Sequence, residues 1–94
     1  MSQVIDEAVT RLNERTGGSF DGTAKFVIEG EGNVMLDEAG ARAADEPAEV
    51  TLTADPETFR AMMDGEVDPT GAYMSGRLKI EGDMGQAMKL AQSL

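Results

Sequence analysis

The chain has no cysteine, no histidine and no tryptophan. Without cysteine there are no disulfides and no thiol chemistry, a composition that fits a reducing compartment. Without histidine or cysteine, the nucleophile arrangements built on those residues are unavailable, and so are His/Cys zinc sites. Aromatics are sparse, three Phe and one Tyr, so the core must be mainly aliphatic and methionine. Bases are few as well: eight Lys and Arg against eighteen Asp and Glu leave a formal charge of −10. Such a surface repels phosphate backbones, which argues against nucleic acid, and it limits contact with anionic membranes to transient encounters. No run approaches the ~18 consecutive apolar residues of a membrane-spanning helix. The N-terminal stretch MSQVIDEAVTRL carries acids where a signal peptide carries bases and an apolar run, so a cytoplasmic location is expected.

What is present fits one domain over residues 1–94. Ile5, Ala8, Val9 and Leu12 follow an i, i+3, i+4, i+7 pattern that predicts an opening amphipathic helix, stopped by Gly17 and Gly18. Lys25 to Glu29 and Val34 to Asp37 read as a hairpin with Gly32-Asn33 near its turn. A short edge strand around Ala41 to Ala43 and a loop at Pro47 precede Val50 to Thr53, a strand by composition and alternation. Asp55-Pro56 and Asp68-Pro69 are two copies of a helix-start signal, an N-cap followed by proline at the first helical position. Arg77 to Glu81 alternates as a strand with Leu78 and Ile80 inward. Asp83 then caps a last helix, with Gln86 placed to complete a capping box. The expected architecture is α+β, helices on one face of a mixed sheet, and the long crossover from VTLT to RLKI leaves room for a parallel pair there.

Motifs for chemistry are missing. Gly30 and Gly32 begin a GxGxxG pattern, but Met35 occupies its third position and no helix pattern follows. The acids of DGEVD lack the glycine and terminal glutamate of a calcium loop. Asp6, Glu7 and Glu14 read as a solvated helix face, and Arg60 as a surface ion-pair partner. No catalytic residue, metal site or cofactor is expected. The methionines are the distinctive feature: Met62, Met63, Met74, Met84 and Met88 crowd into three adjacent helical segments. Methionine is unbranched and polarisable, so it fills irregular volumes and repacks around changing shapes. The charge is also uneven, with Arg77, Lys79 and Lys89 making the C-terminal segment the one able to approach an acidic partner.

The run DPTGAYMSGRLKIEGDMGQAMKL, Asp68 to Leu90, resembles the C-terminal signature of the sterol carrier protein type 2 domain. Pro69, Ala72-Tyr73, Gly76, the strand Arg77-Leu78-Lys79-Ile80 and the helix opening Gly82-Asp83-Met84-Gly85 carry it, followed by Ala87-Met88-Lys89-Leu90. The upstream VTLTADPETFRAMMDGEV is similar to that family's preceding strand and helix. The resemblance implies a five-stranded mixed, largely antiparallel sheet covered by helices around an apolar tunnel. It implies a non-catalytic lipid carrier for a fatty acid, acyl-CoA, phospholipid or sterol-like ligand. It places Phe59, Met62 and Met63 on one wall, Tyr73 and Met74 near the mouth, Leu78 and Ile80 on the sheet, and Met84, Met88 and Leu90 on the closing helix. Ser75 stands where animal members of the family often have a longer glutamine that can touch a ligand's polar end. The C-terminal Gln92-Ser93-Leu94 lacks the basic residue of the peroxisomal tripeptide. The few aromatics favour acyl chains over sterol rings, and the acidity favours delivery to a protein partner. The competing expectation is a scaffold that binds enzymes of lipid or isoprenoid-quinone metabolism without carrying lipid.

Overall fold

The computed structural model describes residues 3–94, so Met1 and Ser2 of the acidic N-terminal stretch lie outside the described residues. The chain runs α1 (Gln3–Thr16), β1 (Ala24–Ile28), β2 (Gly32–Asp37), β3 (Gly40–Ala43), β4 (Val50–Ala54), α2 (Pro56–Met63), α3 (Pro69–Met74), β5 (Lys79–Gly82) and α4 (Met84–Ser93). The strands form one mixed sheet in the order β3-β2-β1-β4-β5. Alternation sorts the side chains: Ala24, Phe26, Ile28, Val34, Leu36, Val50, Leu52 and Ala54 face the helices, and their neighbours face outward. Helices α1, α2 and α4 contribute Ile5, Ala8, Leu12, Phe59, Met62, Met63, Ala87 and Leu90 to the same core. At its centre the Phe26 and Phe59 rings meet edge to face, centroids 5.6 Å apart. On the outer face Met35 is buried, with Lys25 and Arg42 as its ladder neighbours on either side.

The hairpin turn is Glu29–Glu31, directly before the Gly32-Asn33 expected near it: Gly32 already pairs with Ile28, and Asn33 with Val27. One expectation needs correction. The parallel pair is β1 with β4, whereas β4 and β5 run antiparallel, Thr53 opposite Lys79 and Val50 opposite Gly82. The reason is the excursion through α2 and α3. It leaves the C-terminal end of β4 and comes back to it, bringing the Arg77 guanidinium within electrostatic reach of Asp55. A Schellman turn makes the return possible. The Gly76 amide donates to the Tyr73 carbonyl (3.2 Å) and the Arg77 amide to the Ala72 carbonyl (2.9 Å), with Gly76 at φ 83°. Leu78 donates to the same Ala72 carbonyl (3.1 Å), so β5 starts at Lys79 rather than Arg77.

All three aspartate caps are in place: Asp55 accepts from the Thr58 amide (3.3 Å), Asp68 from Gly71 (3.4 Å) and Asp83 from Gln86 (3.1 Å). The capping box at Asp83 is not completed, because the Asp83 amide donates to the Glu49 carbonyl instead (2.8 Å). The Thr58 hydroxyl above all holds the Asp55 carboxyl below its ordinary range; burial opposes it, and the Thr58 amide and Arg77 add smaller effects in the same lowering direction. A lowered folded pKa means stabilisation that is present above the unfolded value and lost as pH falls through the folded one. Asp55→Ala is therefore expected to cost about 1 kcal/mol at neutral pH. The difference in thermal midpoint from the parent should shrink once pH drops below ~4. A difference that stays constant down to low pH would show that the carboxylate contributes nothing.

The β3 edge is closed by a side chain. Asn13 of α1 accepts from the Ala41 amide (2.9 Å) and donates to the Ala41 carbonyl (3.3 Å), as a neighbouring strand would.

Candidate functional site

Where α3, the β4–β5 ladder and α4 meet, they leave an apolar cleft of about 130 Å³. Its floor is Leu52 of β4 with Ile80 opposite it on β5, plus Leu78 just before that strand. Pro69, Thr70 and Tyr73 of α3 form one wall, since residues four apart share a helix face. Met84, Ala87, Met88, Leu90, Ala91 and Leu94 form the other. Among the described residues no charged side chain lines it, and the polar side-chain atoms are the Thr70 and Tyr73 hydroxyls. The cleft is open along the edge where Tyr73, Met84 and Met88 stand exposed. It is thus an open-sided groove, where the resemblance implied an enclosed tunnel.

Of the residues expected to line a cavity, Tyr73, Leu78, Ile80, Met84, Met88 and Leu90 come together here. Phe59, Met62 and Met63 do not: they are buried in the main core under α1. Met74, one residue past the Tyr73 face of its helix, is 81% exposed and points away. Ser75 is the C-cap of α3, with its hydroxyl donating to the Ala72 carbonyl (3.1 Å), and does not reach the cleft. Sequence reasoning missed Leu52, Pro69, Thr70, Ala87, Ala91 and Leu94 as lining residues. Ala87, Ala91 and Leu94 recur at three- and four-residue spacings with Met84 and Met88, a pattern visible in the sequence, whereas Leu52 becomes visible only from the β4–β5 register.

α4 is held at its start and midway along its length. Asp83 ties its start to Glu49, and Lys89 donates to the Asp21 carbonyl (3.0 Å) with the Asp21 carboxylate at 3.5 Å. Between them the Gln86 side chain is pressed against Gly22, where a Cβ would collide with it. Its Oε1 is buried, with no hydrogen-bond partner among the described residues. The three C-terminal bases do not share a face. Lys89 turns to Asp21, Arg77 to Asp55, and Lys79 lies on the sheet face opposite Ile80. Arg60 is indeed a surface partner, 3.4 Å from Glu7. Among the described residues no group of three or more acids is arranged to hold a metal ion, and no helix is long and apolar enough to cross a membrane.

The comparisons with known proteins converge on this architecture. The solution structure of Sterol Carrier Protein-2 from Aedes aegypti in complex with palmitate superposes with a TM-score of 0.76 at 22% identity, covering 100% of this chain and 99% of that one. Hydroxysteroid dehydrogenase-like protein 2 of Xenopus laevis is 42% identical over 91 residues, 88% of this chain. Sterol carrier protein 2 of Rattus norvegicus is 41% identical over 84 residues, 89% of this chain. The chain spans only 22% and 14% of the lengths of those two relatives. The model of the SCP-2 sterol transfer family matches residues 6–94, nearly the whole chain, with the five-stranded mixed sheet and four helices in place: this protein belongs to that family.

Proposed function

We propose that the chain is a non-catalytic lipid-binding domain that holds a long apolar ligand, an acyl chain in preference to a sterol ring system, in the cleft between α3 and α4. The observation that carries this reading is the cleft itself: an uncharged groove of about 130 Å³ whose rim exposes Tyr73, Met84 and Met88 to solvent. The palmitate carried by the Aedes aegypti relative of the same fold supports the ligand class. Its volume is close to the ~150 Å³ of an engineered apolar cavity that accepts benzene. About six methylenes fit, worth roughly 5 kcal/mol of transfer, which only just offsets the least costly association. A longer chain is accommodated by swinging the unbranched Met84 and Met88 outward and easing α4 from the sheet.

Catalysis by this chain has little support. The carboxyls with a shifted pKa, Asp37 and Asp55, are both lowered, by Arg42 with the Ala39 amide and by Thr58 respectively, as structural anions rather than proton donors. A charge of −10 makes delivery to an enzyme more favourable than collision with an anionic bilayer. A relative named as a dehydrogenase-like protein, in which a matching segment is a minor part, supports presentation of the ligand to an enzyme over a scaffold without cargo.

The test is native mass spectrometry after exposure to a lipid extract, with displacement of a fluorescent fatty acid. One bound lipid per chain and displacement at micromolar protein are expected. No bound lipid and no displacement would leave the scaffold.

A further inference from the structure

The chain has no cysteine, so methionine thioethers are its only sulfur and its first targets for two-electron oxidants. Among the described residues they divide sharply by exposure. Met35, Met62 and Met63 are between 1% and 3% exposed, while Met74, Met84 and Met88 are 81%, 46% and 66% exposed. Met84 and Met88, one helical turn apart on α4, line the cleft, and Met74 does not. We propose that Met84 and Met88 are an oxidation-sensitive pair that closes the site to apolar ligands when converted to sulfoxides. This inference rests on the binding role given to the cleft.

The chemistry balances with a hydroperoxide as oxidant. The thioether sulfur attacks the terminal peroxide oxygen, the O–O bond breaks as the S–O bond forms, and after proton transfer water or an alcohol leaves. The sulfur is oxidised to the sulfoxide and the peroxide is reduced. The new oxygen is a strong acceptor, and among the described residues the cleft offers it only the Thr70 and Tyr73 hydroxyls as side-chain donors. It will therefore keep its water, and a hydrated group on the α4 wall competes with an acyl chain for that wall. Reduction needs two thiols from outside, since the chain supplies none.

The experiment treats the protein with limiting hydrogen peroxide and locates added oxygen by peptide mass spectrometry. Affinity for a fluorescent long-chain fatty acid is measured before and after. Met74, Met84 and Met88 should oxidise before Met35, Met62 and Met63, with affinity falling at least about tenfold. Methionine sulfoxide reductase with dithiothreitol should restore it. In the volume-conserving double variant Met84→Leu/Met88→Leu, the affinities before and after peroxide should agree within about twofold, while Met74→Leu should give no protection. Unchanged affinity with both α4 sulfoxides present, or protection by Met74→Leu alone, overturns the proposal. If the untreated protein binds no probe, the carrier function fails. The present inference then fails with it, whereas a probe that binds equally well before and after oxidation overturns the inference and leaves the carrier function standing.

Discussion

Gly82→Ala is expected to lower the thermal midpoint by roughly 12 °C or more, a loss of about 3 kcal/mol. That is a large share of the stability of a domain this size. Gly82 ends β5 with φ 106°, where L side chains are strained. A Cβ added there would overlap the Glu49 carbonyl oxygen and stand 3.1 Å from the Val50 Cα. Both obstacles are backbone, so neither can rotate away. The same Glu49 carbonyl accepts the Asp83 amide (2.8 Å), and any shift that relieves the collision loosens the start of α4. The contrasting change is Gly71→Ala. Gly71 lies inside α3 with nothing within 4 Å of a new Cβ and no positive φ, so alanine there should be neutral or stabilising by up to ~1 kcal/mol. Thermal unfolding of the two variants beside the parent decides the matter. Equal midpoints for all three would mean that the β5–α4 junction yields at no cost.

The largest expected effect on binding belongs to Ala91→Phe. Ala91 is half-buried on the cleft side of α4, between the Met88 and Leu94 positions. A ring placed there fills the volume an acyl chain would use, and it does so with apolar contacts, so folding should be unharmed. Affinity for a fluorescent fatty acid should fall at least tenfold, about 1.4 kcal/mol. The thermal midpoint should stay level or rise. Undiminished affinity would move the ligand out of this cleft, toward the core side lined by Phe59 and Met63.

Features set by neighbouring residues were legible in the sequence. Asp55-Pro56, Asp68-Pro69 and Asp83 begin helices because a cap depends only on the next three residues. The alternation of VTLT gave the correct inward face, whereas along α4 Ala87 and Leu90 are buried and Met84 and Met88 stand at the exposed rim. The hairpin itself was legible, but with two glycines on offer, strand pairing rather than local preference settled that Gly30 turns and Gly32 pairs. The direction of β5 depends on where the α2–α3 excursion lands, which no short window encodes. The same limit explains the methionines. Met62 and Met63 on α2 and Met84 and Met88 on α4 occupy similar amphipathic patterns. Only the order of strands decides that α2 lies over the filled middle of the sheet and α4 over its incompletely covered edge. Gln86 fits a capping box by spacing, yet Glu49, far away in sequence, takes the amide it would have bonded.

Asn13 bears on how such molecules behave in a crowd. A sheet edge is a template, and two copies of a protein with open edges can extend each other's sheets without any designed interface. By lending one carboxamide to Ala41, α1 removes a docking rung from β3. The opposite edge is only four residues long and carries Lys79 and Glu81, poor material for a flat seam. The acidic surface keeps copies apart at long range, and the edges deny them a foothold at short range, so a protein with an apolar groove open to water can remain dispersed.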